Sequence, residues 1–403
     1  MRVPVRRPKD PITVVLRLDA MTYGGDAIGR AGGKAIFVQG GIPGEQVRAA
    51  IVEDRGRFAR AQVLEVIEAS PDRVQPRCPH FGFEETACGG CHWQQVDDAA
   101  QARFKAEIVR EQFRRITRIE GAPVRDTIPS PEVWGYRNHA QFSIAPDGRL
   151  GFQAARSNRV VPIDECHVIQ PPIADWLQAN RRAQTSAERW EVRSFGGEDG
   201  SVEAWPQNAP ASGVQPPREA SSLQIKGATF RVSAGSFFQV NTSLIETLID
   251  QALNRLDLRG GETAVDAYCG VGLFARFIAP RAGRVIGIES SAGAIADARE
   301  NLRQFGNVEW REGLVENELL GIRDSIDAVI VDPPRAGCGP KVIHALVEKQ
   351  VKRLVYVSCD PSTLARDARQ LIGDGYALID VQPLDMFPQT YHIETIALFT
   401  YKE

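Results

Sequence analysis

The sequence predicts a multidomain α/β protein with an N-terminal β-barrel, a mixed α+β middle and a C-terminal domain built on a mostly parallel sheet. Residues 12–68 form short runs in which apolar and polar side chains alternate, separated by glycine pairs. From about residue 233, strand-like runs alternate with helical ones, which is typical of a parallel sheet covered by helices. We therefore divide the chain into residues 1–68, 69–232 and 233–403.

The composition is that of a soluble protein large enough for several domains. The 403 residues are 43% hydrophobic and 25% charged, and no run approaches the roughly 18 apolar residues of a membrane span. The first ten residues are basic but lack the apolar region of a secretory signal, so the seven cysteines are expected to be reduced. We expect a cytoplasmic, monomeric protein that does not enter a membrane.

The first domain carries the alternating runs of a small OB-like barrel, at Ile12 to Leu18, Ala35 to Val38 and Gln46 to Ile51. Residues 1–77 hold 13 Lys and Arg against 9 Asp and Glu, a surplus of four positive charges. A barrel with exposed arginines is a common platform for RNA, although barrels bind many other ligands.

The middle domain contains a basic segment, Arg103 to Arg118, that predicts one helix with six basic and two acidic residues. Such a helix could contact phosphates or carry an ordinary solvated basic face. Further on, the stretch from Gly196 to Pro217 is rich in Gly, Ser, Pro and acidic residues, which predicts an irregular surface loop.

The middle domain also contains four cysteines that could share one site. Cys78, Cys88 and Cys91 lie in one glycine-bearing stretch, and Cys166 follows in a separate segment. The two glycines between Cys88 and Cys91 let the backbone curl so that both thiolates reach one centre. Four thiolates suit either structural zinc or an iron–sulfur cluster, and their spacing does not separate the two.

The C-terminal domain begins its sheet with a strand, a glycine turn and a helix over residues 264–275. Gly270 and Gly272 allow a ligand to approach the backbone, and Asp266 can meet an ammonium group. Glu289 ends the next strand about twenty residues further on, where a carboxylate can bind ribose hydroxyls.

Two later strands end in residues that could take part in catalysis or binding. The third runs into Asp332 and its stiff Pro-Pro sequence, and another ends at Cys359, just before Asp360. A cysteine after an apolar strand is more often inert packing, but at the mouth of such a sheet it can also be a nucleophile.

Taken together, the motifs resemble those of the RNA uridine-C5 methyltransferases of the RlmD and TrmA kind. The resemblance spans nearly the whole chain and includes FFQVN, DAYCGVG, IES, DPPR, SCDP and HIET in the C-terminal domain. It implies a TRAM barrel, a central domain with an iron–sulfur site and a Rossmann-like methyltransferase domain.

The resemblance also implies roles for individual residues. S-adenosylmethionine would be bound by Gln239, Tyr268, Glu289 and Asp332, the nucleophile would be Cys359, the base would be Glu394, and a [4Fe–4S] cluster would be held by Cys78, Cys88, Cys91 and Cys166, with zinc as the alternative. Two departures affect single contacts. Nine residues separate Cys78 from Cys88 where about five are expected by this analogy, and Leu314 replaces a polar residue that would face the adenine.

The function implied is methylation of C5 of a uridine in RNA, with 23S rRNA favoured and tRNA as the alternative. Uracil C5 becomes nucleophilic once a thiolate adds to C6, and a base must then remove the C5 proton. Cytosine-specific enzymes use a Pro-Cys pair where this chain has Asp332-Pro-Pro-Arg335, which favours uracil. A non-catalytic RNA-binding protein and a methyltransferase for small molecules or proteins are the competing hypotheses.

Overall fold

The computed structural model describes residues 12–182, 189–194, 202–207 and 220–402. Within these ranges no helix is long and apolar enough to span a membrane. The expectation drawn from the basic first ten residues lies outside the described part of the chain.

The N-terminal strands close into a barrel in the order β1-β2-β3-β5-β4, which confirms the predicted barrel. Its strands are β1 (Thr13–Met21), β2 (Ala27–Ala31), β3 (Lys34–Gln39), β4 (Gln46–Asp54) and β5 (Phe58–Glu68). Only β3 and β5 pair in parallel. Glycine is required at position 29, where β2 pairs with β1, because a β-carbon on Gly29 would lie 2.2 Å from the Arg17 carbonyl oxygen. Alternate side chains such as Leu18 and Val38 fill the interior.

The middle of the chain contributes a long helix and a five-stranded sheet in the order β10-β9-β6-β7-β8. Its elements are α1 (Asp98–Thr117), β6 (His139–Ile144), β7 (Leu150–Gln153), β8 (Val160–Pro162), α2 (Pro171–Ala179), β9 (Arg189–Ser194) and β10 (Val202–Gln207). The stretch predicted as a loop, residues 196–217, lies mostly outside the described residues. For the part that is described, the prediction was wrong, because residues 202–207 form strand β10. That segment pairs with β9 and buries Trp205, an interaction that its composition does not reveal.

The C-terminal sheet has seven strands in the order β15-β14-β13-β16-β17-β19-β18, and only β19 runs against the others, which confirms a mostly parallel sheet. The elements are β11 (Ser221–Ile225), β12 (Ala228–Val232), α3 (Thr242–Leu256), β13 (Thr263–Ala267), α4 (Ala275–Ile278), β14 (Arg284–Glu289), α5 (Ala292–Asn301), β15 (Val308–Glu312), α6 (Val315–Leu320), β16 (Ala328–Val331), α7 (Gly339–Glu348), β17 (Arg353–Ser358), α8 (Pro361–Gly373), β18 (Tyr376–Leu384) and β19 (Glu394–Tyr401). The hairpin β11–β12 packs into the same core as α3.

Helix α1 is a structural bridge between the barrel and the C-terminal sheet. It begins at Asp97, whose carboxylate accepts the N–H groups of the first turn, and it ends where Arg118 adopts a left-handed φ of 62°. Its apolar face shares one hydrophobic core with the barrel and α8. Of its basic residues, Lys105 is fully buried and Arg110 and Arg114 pair with acidic side chains, so much of the positive charge of the segment is already neutralised.

The buried end of this bridge is an ion pair between α1 and the loop that joins β18 to β19. Lys105 Nζ lies 2.5 Å from Asp385 Oδ1 and also donates to the Phe387 carbonyl at 3.1 Å. Burial lowers the pKa of Lys105, and the charge of Asp385 opposes that shift. Gln101 of α1 adds reciprocal hydrogen bonds, because its amide donates to Gln389 Oε1 and its oxygen accepts the Gln389 N–H.

Replacing Asp385 with alanine is expected to lower the free energy of unfolding by about 3–5 kcal/mol, because the Lys105 charge would remain buried without its partner. The double variant Lys105→Met/Asp385→Leu should lose much less, since it removes both charges. Urea titration measures both, with Asp54→Ala at the exposed Lys34 pair as a control expected to cost under about 1 kcal/mol. An Asp385→Ala cost as small as the control would show that the pair contributes nothing.

Candidate active site

The chemically promising residues meet along one edge of the C-terminal sheet. Asp266 is the last residue but one of β13, Glu289 ends β14, Asp332 follows β16 and Cys359 follows β17. The strand order reverses between β13 and β16, where open α/β sheets bind their ligands. Because β19 runs in the opposite direction, its first residue, Glu394, lies at this same edge.

Cys359 and Glu394 face each other across the pair β17–β19. Ser358 is in register with Thr395, and the next residue of each strand toward the edge is Cys359 on one side and Glu394 on the other. Burial, followed by the charge of Glu394, raises the pKa of Cys359 to about 12. Burial also raises the pKa of Glu394 well above its usual range, and the charge of Asp332 adds to that effect. A thiol and a carboxylate are therefore adjacent in a poorly solvated position.

A third side chain that affects this pair is Arg335, to which the sequence motifs assigned no role. It belongs to the DPPR loop after β16, and its charge lowers the pKa values of both Cys359 and Glu394, against the larger effect of burial. A guanidinium placed near a thiol and a carboxylate favours their ionised forms. In the sequence, the feature that could have pointed to it is that Arg335 ends the DPPR motif, which directly follows β16.

The FFQVN segment is held at this edge by the middle domain. The Gln239 carbonyl accepts the Asn138 side-chain N–H at 3.1 Å, and Gln239 Nε2 lies 3.5 Å from Asp332 Oδ2. Asn241 caps α3 and also donates to the Ser130 hydroxyl and to the Met386 carbonyl. The predicted Gln239 and Asp332 are therefore brought together.

The cleft beside β13 and β14 is rich in carboxylates. Asp266 Oδ2 accepts the Ala275 N–H at 2.7 Å, whereas its buried Oδ1 has no hydrogen-bond partner among the described residues. Burial raises the pKa of Asp266 to about 8, with contributions from the charges of Asp332 and Glu289, and burial raises the pKa of Asp332 to about 7. Clustered carboxylates that resist ionisation suit a cationic ligand.

The backbone of this cleft is shaped for close approach. Tyr268 has a φ of 62°, an unfavourable value for a tyrosine that is typical of functional sites. Gly272 has a φ of 85°, and a β-carbon there would lie 2.7 Å from Leu302 Cδ1. Glu289 Oε2 accepts the Gly270 N–H at 3.1 Å, so Glu289 braces the turn. Leu314, the departure noted in the sequence, is exposed.

The four cysteines of the middle domain line one cavity of about 370 Å³. Burial raises the pKa values of Cys88 and Cys91 to about 12, and the charges of neighbouring cysteines contribute to both shifts. Gly89 allows the turn between Cys88 and Cys91 to pack against the end of β7, because a β-carbon on Gly89 would lie 2.6 Å from the Ala155 nitrogen. Across the described residues, no three His, Cys, Asp or Glu side chains form a group able to hold one metal ion.

The long interval between Cys78 and Cys88 forms a closed surface loop. The Cys88 N–H donates to the His80 carbonyl at 2.9 Å, and Glu84 and Glu85 are exposed at the far side. The extra residues therefore project outward, and the four thiols still line the same cavity.

Known proteins of similar sequence match along the whole chain. A 23S rRNA (uracil(1939)-C(5))-methyltransferase RlmD from Methylococcus capsulatus is 32% identical over 98% of each chain. Another RlmD, from Edwardsiella ictaluri, is 33% identical over 96% of this chain and 95% of its own. The chain belongs to the RNA uracil-C5 methyltransferase family. An uncharacterized RNA methyltransferase from Streptomyces avermitilis is also 33% identical, over 95% of this chain and 97% of its own.

Family models and a solved structure agree with this membership. The TRAM domain model matches residues 14–64, the general methyltransferase domain model matches 264–355, and the tRNA (Uracil-5-)-methyltransferase model matches 318–402. The tRNA (uracil-54, C5)-methyltransferase of Pyrococcus abyssi, solved with S-adenosyl-L-homocysteine, has a TM-score of 0.71 at 24% identity, over 96% of this chain and 99% of its own. The methyltransferase fold and the TRAM barrel predicted from the resemblance are thus confirmed.

Replacing Arg335 with glutamine should slow alkylation of Cys359 by iodoacetamide at fixed pH, because the cation that lowers the thiol pKa is lost. Each pKa unit gained should slow the reaction about tenfold. Peptide mass spectrometry follows Cys359 separately from the other cysteines. Arg335→Lys keeps the charge and should react nearly as fast as the native protein, and an unchanged rate in Arg335→Gln would rule out the electrostatic role.

Proposed function

We propose that this protein methylates C5 of a specific uridine in RNA with S-adenosylmethionine, and that the RNA is 23S rRNA. The observation that carries this proposal is the opposition of Cys359 and Glu394 at the sheet edge beside a carboxylate-rich cleft. The names of the RlmD relatives support rRNA. A tRNA substrate is the second candidate, since the Pyrococcus abyssi protein of the same fold is named for tRNA.

The carboxylate-rich cleft fits the cofactor. When bound, S-adenosylmethionine supplies a methyl group on a cationic sulfur, together with an ammonium and a ribose. Asp266 has an unpartnered buried oxygen that can accept from the ammonium. Glu289 lies where ribose hydroxyls are expected, and Gln239, Tyr268 and Asp332 border the same cleft. The charge pattern of these residues favours a cation over a neutral ligand.

Cys359 is proposed to begin the reaction on the uracil ring. Its thiolate forms a bond to C6, and the electrons of the C5–C6 double bond move toward the C4 carbonyl oxygen. C5 thereby becomes nucleophilic enough to accept the methyl group. Arg335 favours the thiolate form that the first step requires, while burial keeps the free thiol protonated in the absence of substrate.

Glu394 is proposed to complete the reaction. Its carboxylate takes the C5 proton, the C5–C6 double bond forms again and the bond from C6 to Cys359 sulfur breaks. A poorly solvated carboxylate with a raised pKa is a stronger base than an exposed one. Because Cys359 and Glu394 lie opposite each other at one sheet edge, the pair suits addition and elimination at adjacent carbon atoms.

The four cysteines are proposed to hold a [4Fe–4S] cluster. They line one cavity, and the Gly90 N–H lies 3.4 Å from Cys88 sulfur, as a hydrogen bond to a metal-bound thiolate requires. A single zinc ion draws its sulfurs to about 2.3 Å, whereas a cluster binds each cysteine at a separate iron and accepts more widely spaced sulfurs. The four thiols around one cavity, together with the family resemblance, support the cluster, and zinc is the alternative.

Purified protein is expected to transfer labelled methyl from S-adenosylmethionine to uridine C5 in unmodified ribosomal RNA. Cys359→Ala should abolish turnover, and Glu394→Gln should accumulate a covalent protein–RNA adduct that survives denaturing electrophoresis, because elimination is blocked. Cys338→Ala, at a buried cysteine outside this pair, serves as the control. Transfer to tRNA alone would favour the second candidate. Activity on neither RNA would reject the function and leave a binding protein or a methyltransferase for other substrates.

Anaerobically purified protein is expected to be brown and to contain about four iron and four sulfide per chain. Cys88→Ala should remove the visible absorption, whereas Cys338→Ala should keep it. Metal analysis by mass spectrometry provides the second readout. Colourless protein that holds stoichiometric zinc would overturn the cluster assignment.

A further inference from the structure

A cavity of about 480 Å³ lies outside the catalytic edge, where all three parts of the chain meet. The barrel contributes the loop after β1, with Gly25 and Asp26. The cysteine stretch contributes Phe83 and His92, and the turn between β7 and β8 contributes Arg156. Tyr391, from the loop before β19, closes the remaining side. None of the residues that line this cavity has a role in the reaction derived above, and two of them, Cys88 and Cys91, are proposed cluster ligands that also line the neighbouring cavity.

Tyr391 is fixed against the barrel by close packing. Gly25 has a φ of 92°, and a β-carbon there would lie 2.9 Å from Tyr391 Cδ1. The Tyr391 ring also lies edge-on to Tyr23 at 6.1 Å and tilted on His92 at 4.5 Å between centroids. An aromatic ring held from several sides offers a rigid surface on which a base can stack.

The cavity is close to the nucleophile. Tyr391 precedes Glu394 by three residues, and Tyr23 faces Asp360, which follows Cys359 and contributes to the raised pKa of Tyr23 after burial. A second groove of about 350 Å³ is lined by Tyr23, Arg115 and Ser362 among others. The paired rings of Tyr23 and Tyr391 therefore connect the two cavities, because Tyr391 lines the first and Tyr23 lines the second.

The charges at the cavity suit a nucleotide. Arg60 and Arg156 both pair with Asp26, at 3.0 and 3.3 Å, and Arg60 also lies 3.7 Å from Glu53, so Arg156 shares its carboxylate with a second guanidinium. The Arg156 side chain is 60% exposed and can reach a phosphate.

We propose that this cavity, the Tyr391 pocket, takes the base of a nucleotide that flanks the target uridine, with Arg156 on its phosphate. This inference rests on the proposed RNA substrate and specifies how that substrate is recognised. A single strand with its bases splayed out is the form of RNA that presents separate bases to such pockets.

The test combines a protein variant in which a side chain fills the Tyr391 pocket with RNA that lacks single bases. Ala155 is exposed and lines the pocket, so Ala155→Trp should occupy it without disturbing the core, and Ala99→Trp on an exposed turn of α1 is the matched control. The probe is the RNA fragment that the native protein methylates, with one abasic nucleotide at each position flanking the uridine. Binding is measured by fluorescence anisotropy.

For the native protein and Ala99→Trp, one flanking abasic position should weaken binding by roughly tenfold, because the stacking of that base is lost. For Ala155→Trp, the same abasic RNA should bind within about twofold of the complete RNA, since the pocket is already occupied. Arg156→Ala should reduce the salt dependence by about one phosphate contact, and Arg149→Ala, at a similarly exposed arginine paired with Asp147, should not.

A tenfold abasic penalty that persists in Ala155→Trp would overturn the Tyr391 pocket while methylation by the native protein stands. The absence of any abasic penalty in the native protein that still methylates the fragment would overturn it as well. Failure of the native protein to methylate or bind RNA would instead reject the proposed function. The two failures are therefore distinguishable.

Discussion

The buried ion pair between Lys105 and Asp385 is the contact on which the active site depends most. It joins α1 of the middle domain to the loop that precedes β19, and reciprocal hydrogen bonds between Gln101 and Gln389 hold the same loop a few residues later. Glu394 and Tyr391 follow directly in this segment. A charge taken out of water needs its partner, so the loop has little freedom to move away from α1.

The cysteine stretch is attached to the same loop. The N–H groups of His92 and Trp93 both donate to the Gln389 carbonyl, at 2.9 and 3.0 Å, and the Trp93 indole donates to the Gly25 carbonyl of the barrel. Because Cys91 directly precedes His92, a group that holds the four thiols in place would also fix the hydrogen bonds from His92 and Trp93 to the loop that precedes β19. The proposed cluster would therefore act through structure, without taking part in electron transfer.

Much of the fold follows from local patterns, and much of the site from where strands end. Alternation predicted the barrel, and β13, β14, β16 and β17 all carry candidate residues at one edge, as parallel strands require. The burial of Lys105 was not predictable, since a lysine within a basic segment normally faces water and its partner lies 280 positions away. For the same reason Tyr23 and Tyr391, distant in sequence, gave no sign that they would meet. The electrostatic effect of Arg335 likewise appears only once three separate loops converge.

The convergence of acidic groups explains how binding and chemistry can be linked in this family member. Burial raises the pKa values of Asp266, Asp332, Glu394 and Cys359. Arg335 opposes only part of this shift, and only for Glu394 and Cys359. In the free protein these groups therefore resist ionisation. All of them ionise more easily when a cation lies among them, because opposite charge favours the charged form of carboxylates and thiols alike. With the proposed cofactor, the positive charge that accompanies the methyl group would also favour the thiolate and the base. Cys359, as the proposed nucleophile, would then be most reactive when there is a methyl group to transfer.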